Sequence, residues 1–94
     1  RWREAQINAL AALARLYAGR RDYVRAVESI QQVLALDRLR ETAYRDLMHY
    51  SLLRGDRQTA IRAFRTCEQL LREELGVAPQ PETAALHEQA RAPA

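Results

Sequence analysis

The side chains of this chain that could carry chemistry are few and scattered. It has one cysteine, Cys67, and two histidines, His49 and His87. No cluster of His, Cys or carboxylates surrounds them at the spacing of a metal site or an acid–base pair. One cysteine cannot close an internal disulfide. Cys67 falls in a small-residue slot of a helical pattern, so it reads as a packing thiol; a redox sensor would need an exposed, electropositive position. His87 reads as a polar surface residue of the last helix. The chain has no glycine-rich phosphate loop, nucleophile elbow or paired-carboxylate motif. These features argue against an enzyme, and no cofactor or metal is implied.

Nucleic acid is the next class to weigh. The 15 basic side chains are all Arg, but 12 acids are interspersed, the net charge is only +3, and there is no basic block. Arg62, Arg65 and Arg72 share one face of a predicted helix with Gln58 and Gln69. As phosphate contacts they would give salt-dependent, sequence-independent affinity. Glu68, Glu73 and Glu74 interleave with them, so the reading is a solvated outer face. Tyr17, Tyr23, Tyr44, Tyr50 and Phe64 recur at helical intervals among aliphatics, which suits a core better than a base-stacking platform.

The elements that position these residues follow from length and pattern. A chain of 94 residues makes one small domain that buries roughly 60–65% of its unfolded surface, enough to fold without a disulfide or metal. No run approaches the roughly 20 apolar residues needed to cross a bilayer, and the N-terminus lacks an export pattern. A cytoplasmic chain with no membrane partner is expected. The start on Arg1 rather than Met is expected of a piece of something longer.

Laid on itself with a 34-residue offset, the chain aligns Ala9 with Ala43, Leu13 with Leu47, Asp22 with Asp56, Ala26 with Ala60 and Leu36 with Leu70. That is the tetratricopeptide period. The first copy runs from about residue 7 to 40, the second from about 41 to 74, and a C-terminal segment with one more helix fills about 75 to 92. In the first copy Leu10, Leu13, Ala14, Tyr17, Ala26, Ile30 and Val33 fill the packing slots; in the second they are Tyr44, Leu47, Met48, Ser51, Ala60, Phe64 and Cys67. Met48 replaces a small residue and Ser51 an aromatic one, while Arg38 and Arg72 stand where a terminal Pro is usual. Antiparallel helices approach closely only where small residues such as Ala26 and Ala60 sit at the contact.

Helices are therefore predicted near 3–18, 23–36, 39–53, 57–75 and 82–91. The fold class is all-α: antiparallel, tetratricopeptide-like hairpins of the right-handed α-solenoid type. Asp22, Asp37 and Asp56 each precede a helical pattern as candidate N-caps. Gly19 and Gly55 fall in the turns within each copy, and Gly76 suits a left-handed helix end. Pro79 and Pro81 break the chain after it, and Pro81 suits the first turn of the last helix.

The stretch from Leu71 to Arg91, LREELGVAPQPETAALHEQAR, joins a helix-ending Gly, two spaced prolines and a new amphipathic start. It resembles the C-terminal signature of the bacterial transcriptional activator domain, found behind a winged-helix DNA-binding domain in SARP-type regulators. The two preceding blocks, LAALARLYAGRRDYVRAVESIQQVLALD and RETAYRDLMHYSLLRGDRQTAIRAFRTCEQLL, follow that family in the same order. In the family a Ser or Thr usually precedes the second Pro; here it is Gln80, which predicts a weaker cap and a less ordered last helix.

The resemblance implies the C-terminal portion of the activator domain, with a role in regulation by protein contact. The implied partners are other domains of the same regulator, a second protomer and transcription machinery, with DNA contacted only through a domain outside this chain. The alternative is a docking or sensor module of a larger signalling ATPase, or a free-standing peptide-binding adaptor. Tetratricopeptide arrays bind partners on the face made by the first helix of each pair. Transferring those positions singles out Asn8, Arg15, Arg45 and His49 as partner-binding candidates, each pair sharing a helix face. Trp2 and Ile7 are expected at an uncovered apolar end, packing on upstream helices or on a second copy.

Overall fold

The computed structural model describes residues 1–93 and contains five helices, with no strand among them. They are α1 (Trp2–Gly19), α2 (Tyr23–Leu36), α3 (Glu41–Leu53), α4 (Arg57–Leu75) and α5 (Pro81–Arg91). Each packs on the next from α1 to α4, and α5 lies against both α3 and α4. The molecule measures 36 × 33 × 17 Å. Its thin dimension is what two helices packed about 8–10 Å apart, with their side chains, produce.

The core follows the repeat. Ala14, Ala26 and Ala60 are fully buried, and around them Ile7, Ile30, Val33, Tyr44, Leu47, Met48, Phe64, Cys67 and Leu71 form one apolar cluster. Small side chains at the helix contacts bring the backbones close, and the larger ones fill the space beside them. Met48, in a slot that favours a small residue, is accommodated at no exposure; its unbranched thioether adapts to an irregular gap. Ser51, in the aromatic slot, is equally buried, and its hydroxyl has no hydrogen-bond partner among the described residues.

Asp22 and Asp56 cap α2 and α4, accepting the backbone N–H of Arg25 at 3.2 Å and of Thr59 at 3.1 Å. Asp37 does not cap α3, contrary to expectation. It closes a turn instead, accepting the Leu39 N–H and pairing with Arg40 Nε, each at 3.2 Å. The helix starts four residues later, at Glu41, with Arg40 in the capping position. Asp37 forms an Asx-type turn because Leu39 and Arg40 lie within its reach, and local side-chain bonds of this kind compete with helix propagation.

The turns within the two hairpins share one geometry. The Asp22 N–H reaches back to Tyr17 O at 2.9 Å, and Asp56 N–H to Ser51 O at 2.8 Å. Each wrap passes through one left-handed residue, Gly55 (φ 82°) in the second turn and Arg21 (φ 58°) in the first. Gly19, which the sequence places in the turn, is instead the last residue of α1. At the end of α4, Gly76 is left-handed (φ 67°), and the N–H groups of Gly76 and Val77 bond to the carbonyls of Arg72 and Leu71, as a helix-ending glycine allows.

Two apolar placements differ from the repeat pattern. Leu13, assigned to a core slot, is 38% exposed, while its counterpart Leu47 is 7% exposed. Ile7, expected with Trp2 at an uncovered end, is buried in the core at 1%, whereas Trp2 is 77% exposed. Ile7 and Trp2 are five positions apart and so lie on different sides of α1, and only the Ile7 side faces the rest of the fold.

Candidate functional site

The first helix of each hairpin supplies the candidate face. Asn8 and Arg15 on α1 and His49 on α3 are exposed, with half-buried Asp46 one turn before His49. Burial pushes the Asp46 carboxyl above its ordinary range, against the pull of Arg15, Arg45 and His49 in that order. Burial likewise raises the Tyr50 phenol, with Asp46 adding to the rise and Arg15 opposing it. The His49 and Tyr50 rings lie 5.8 Å apart at 46°. Arg15 thus belongs electrostatically to a group contributed by both hairpins: a cation and an imidazole at the surface above a partly desolvated acid.

Arg45 is placed differently from the other three. Its guanidinium donates to Gln80 Oε1 at 3.0 Å and Thr83 Oγ1 at 3.1 Å, and lies 3.8 Å from a Glu41 carboxylate oxygen. The same Glu41 oxygen accepts the Gln80 N–H and the Thr83 hydroxyl, each at 2.6 Å. Arg45 is thereby committed to α5, and of the four candidates Asn8, Arg15 and His49 are the exposed ones.

This clamp answers the missing Ser or Thr before Pro81. Gln80 makes no side-chain cap of its own. Glu41, from α3, places its carboxylate at the start of α5, where the N-terminal N–H groups and the helix dipole favour negative charge. The longer Gln80 side chain reaches Arg45 instead. The other end of α5 is held by Arg57, which donates to the carbonyls of Ala90 and Ala92. Between these ends Phe64 and His87 stack, centroids 4.0 Å apart and planes within 3°. His87 is therefore a half-buried packing residue rather than a surface one. Glu41, Arg57, Gln80 and Thr83 carry no local sequence signal for these roles, because their partners lie 33 to 42 positions away.

Cys67 is fully buried, and burial, with Glu41 adding to it, pushes its thiol up to about 11. It is held as a neutral packing group rather than a nucleophile. Arg62, Arg65 and Arg72 are exposed on α4, and Arg62 is turned onto Thr59 Oγ1 at 3.1 Å. Two shallow cavities mark the surface. One of about 250 Å³ lies beside the loop after α4, lined by Glu68, Arg72 and the segment from Gly76 to Pro79. Another of about 230 Å³ lies on α1, lined by Leu13, Leu16, Tyr17 and Arg20. Among the described residues no group of three or more His, Cys, Asp or Glu is placed to hold a metal ion, and no helix is long and apolar enough to cross a membrane.

Two helix hairpins closed by a fifth helix define the chain as a tetratricopeptide-like helical-repeat domain. Within that class the family can be given: the model of the bacterial transcriptional activator domain matches residues 1–91, and the chain belongs to this family, as the segment around Gly76, Pro79 and Pro81 implied. It is a domain of transcription regulators. Neither the curated proteins nor the solved structures compared with it yield a match.

Proposed function

We propose that this chain is a non-catalytic protein-contact domain of a SARP-type transcription regulator, working beside a winged-helix domain that carries the DNA contacts. Its partners are then proteins: other domains of the regulator, a second protomer and the transcription machinery. Family membership across residues 1–91 carries this reading. The geometry supports it by leaving Asn8, Arg15 and His49 exposed on the face of α1 and α3, a mildly basic surface suited to an acidic or carboxylate-bearing segment. Clamping of α5 keeps that face on a rigid support, which lowers the ordering cost of binding.

The test is a transcription reporter driven by the regulator that contains this domain. Arg15→Glu combined with His49→Glu reverses the charge of the face without touching the core. Reporter output is expected to fall while promoter binding in a mobility-shift assay stays unchanged and the domain remains folded, with a modest drop in thermal midpoint because Arg15 and His49 offset the burial of Asp46. Undiminished reporter output would overturn the assignment of this face.

A further inference from the structure

Arginines that alternate with acids along the chain are gathered by the fold. The turns within the two hairpins lie at the same end of the molecule, because α1 and α3 run the same way: Glu4 at the start of α1 meets Arg40 just before α3. The end of α5 lies there too, held by Arg57 at the start of α4. These two turns, with the nearest helical turn of each adjoining helix and of α5, carry Arg20, Arg21, Arg25, Arg54, Arg57 and Arg91, all exposed. The acids there are Asp22, Asp56 and Glu88, so six Arg against three acids leave +3, the whole net charge of the chain. Everywhere else the charges balance.

The cations of the two ends are also used differently. At the opposite end Arg3 donates to the Leu36 carbonyl, Arg38 pairs with Glu74, Arg40 with Glu4 and Arg45 with Glu41. At the turn end Asp22 and Asp56 are taken up in capping α2 and α4. Among the described residues Arg20 and Arg21 make no side-chain hydrogen bond or ion pair, and Arg54 has only a 3.9 Å approach to Asp56. Arg20 and Arg54 follow α1 and α3 as C-caps, where the helix dipole favours a cation, so their positions alone specify no ligand. Arg21 has no such account. Its backbone is left-handed at φ 58°, where the second turn uses Gly55 at φ 82°, and a Cβ is disfavoured in that conformation. Strain of this kind collects where a side chain is needed for contact.

A row of unpaired guanidinium groups calls for a polyanion. Segments 19–22 and 54–57 contain only Gly, Arg and Asp, so they offer no apolar pocket to anchor a protein segment. The planar fork of Arg matches phosphate oxygens, and the domain belongs to transcription regulators, which places a DNA duplex beside it. We propose that the turn end of this domain holds the DNA phosphate backbone through Arg20, Arg21 and Arg54, without reading bases. This goes beyond the proposed function: the winged-helix domain reads the sequence, and the turn end adds contacts that fix how the activator domain lies on the neighbouring duplex.

The 94-residue chain is titrated onto a fluorescently labelled duplex of about 20 base pairs, followed by anisotropy from roughly 50 to 200 mM salt. Three phosphate contacts are expected to give a slope of about −2.7 for log affinity against log salt, unchanged when the duplex sequence is scrambled. Arg21→Gly removes one contact and the left-handed strain together. Affinity at about 50 mM salt should then fall about tenfold and the slope shrink by about 0.9, while the thermal midpoint does not fall. Adding Arg20→Gln and Arg54→Gln should remove the remaining binding. Arg72→Gln makes the same change of charge about 22 Å from Arg57 along α4 at 1.5 Å per residue, beyond the roughly 10 Å reach of a charge at 0.1 M salt, and should leave affinity unchanged. No binding at the lowest salt, or an equal loss from Arg72→Gln, would overturn the proposal. So would tighter binding of polyglutamate than of DNA at equal charge, which would assign the turn end to an acidic protein. None of these outcomes alters the reporter result for Arg15 and His49, which tests the protein-contact reading separately.

Discussion

The two ends of the helix array are finished in opposite ways. At the rear, α5 covers α3 and α4 and is pinned by Glu41 and Arg45 at its start, Arg57 at its end and the Phe64–His87 stack between. At the front, α1 turns a whole apolar side outward, Trp2 at 77% exposure and Leu16 at 66%. Both ends face the problem that a helix pair cannot bury its own outer side. The rear solves it with a short helix of mixed polarity fixed by polar bonds, while among the described residues the outer side of α1 is apolar and exposed. A polar clamp fits one partner in one register, whereas an apolar side carries no such bonds to fix a register.

The largest expected effect tests the closed end. Glu41→Ala removes the acceptor of the Gln80 N–H and the Thr83 hydroxyl and leaves the half-buried Arg45 guanidinium without its carboxylate. Hydrogen bonds to charged groups contribute about 1.5–3 kcal/mol, so a loss of about 3 kcal/mol is expected, with faster hydrogen exchange in α5. The matching change at the open end, Trp2→Ala, is expected to move monomer stability by no more than about 0.5 kcal/mol, as surface substitutions do. Comparable losses measured by chemical denaturation at dilute concentration would erase the contrast between the ends.

The same contrast explains what the sequence made legible. The helices, the small contact residues Ala26 and Ala60, the caps Asp22 and Asp56 and the helix-ending Gly76 are local or periodic signals, and the structure carries them as read. Asp37 misled because a single Asp before a helical pattern fits an N-cap and an Asx turn equally well until the positions of Leu39 and Arg40 are known. Leu13 misled because the repeat pattern marks a side that packs, without saying that anything packs there. The clamp was hidden altogether, since Glu41 reads only as a first-turn acid of α3 and its partners lie some forty positions on. Gln80 looked like a defect for the same reason: its replacement cap comes from another helix.

A smaller effect separates the two hairpin turns. Gly55→Ala forces a side chain into a left-handed conformation and is expected to destabilise by about 1 kcal/mol. Arg21 already bears that cost at the equivalent place, so Arg21→Gly is expected to stabilise by up to about 1 kcal/mol. Thermal denaturation of the pair reads both signs, and destabilisation by Arg21→Gly would show that the Arg side chain earns its strained position. Ser51→Ala, which removes the hydroxyl without a partner, is expected to raise stability by about 1 kcal/mol, since an unsatisfied buried hydroxyl costs about that much and Ala is the better helix former.

The smallest effect is one of pH, and it again divides the molecule. Hydrogen bonds from the Thr59 hydroxyl and N–H lower the Asp56 carboxyl, so its contribution to stability is present above the ordinary carboxylate range and is lost as pH falls through the lowered value, below about pH 4. Asp46 has the opposite sign. Burial raises it despite Arg15, Arg45 and His49, so the folded state favours the neutral acid, and stability is lost as pH rises through the raised value. Asp46→Asn should therefore stabilise at neutral pH and lose that advantage as pH falls and the wild-type acid becomes protonated; Asp56→Asn should destabilise at neutral pH and converge with wild type in acid. A neutral-pH loss from Asp46→Asn, measured across a pH series of denaturation curves, would mean that its attraction to the cations of the α1–α3 face outweighs its burial. That face would then be a preformed ion-pair network rather than a basic surface open to an acidic partner.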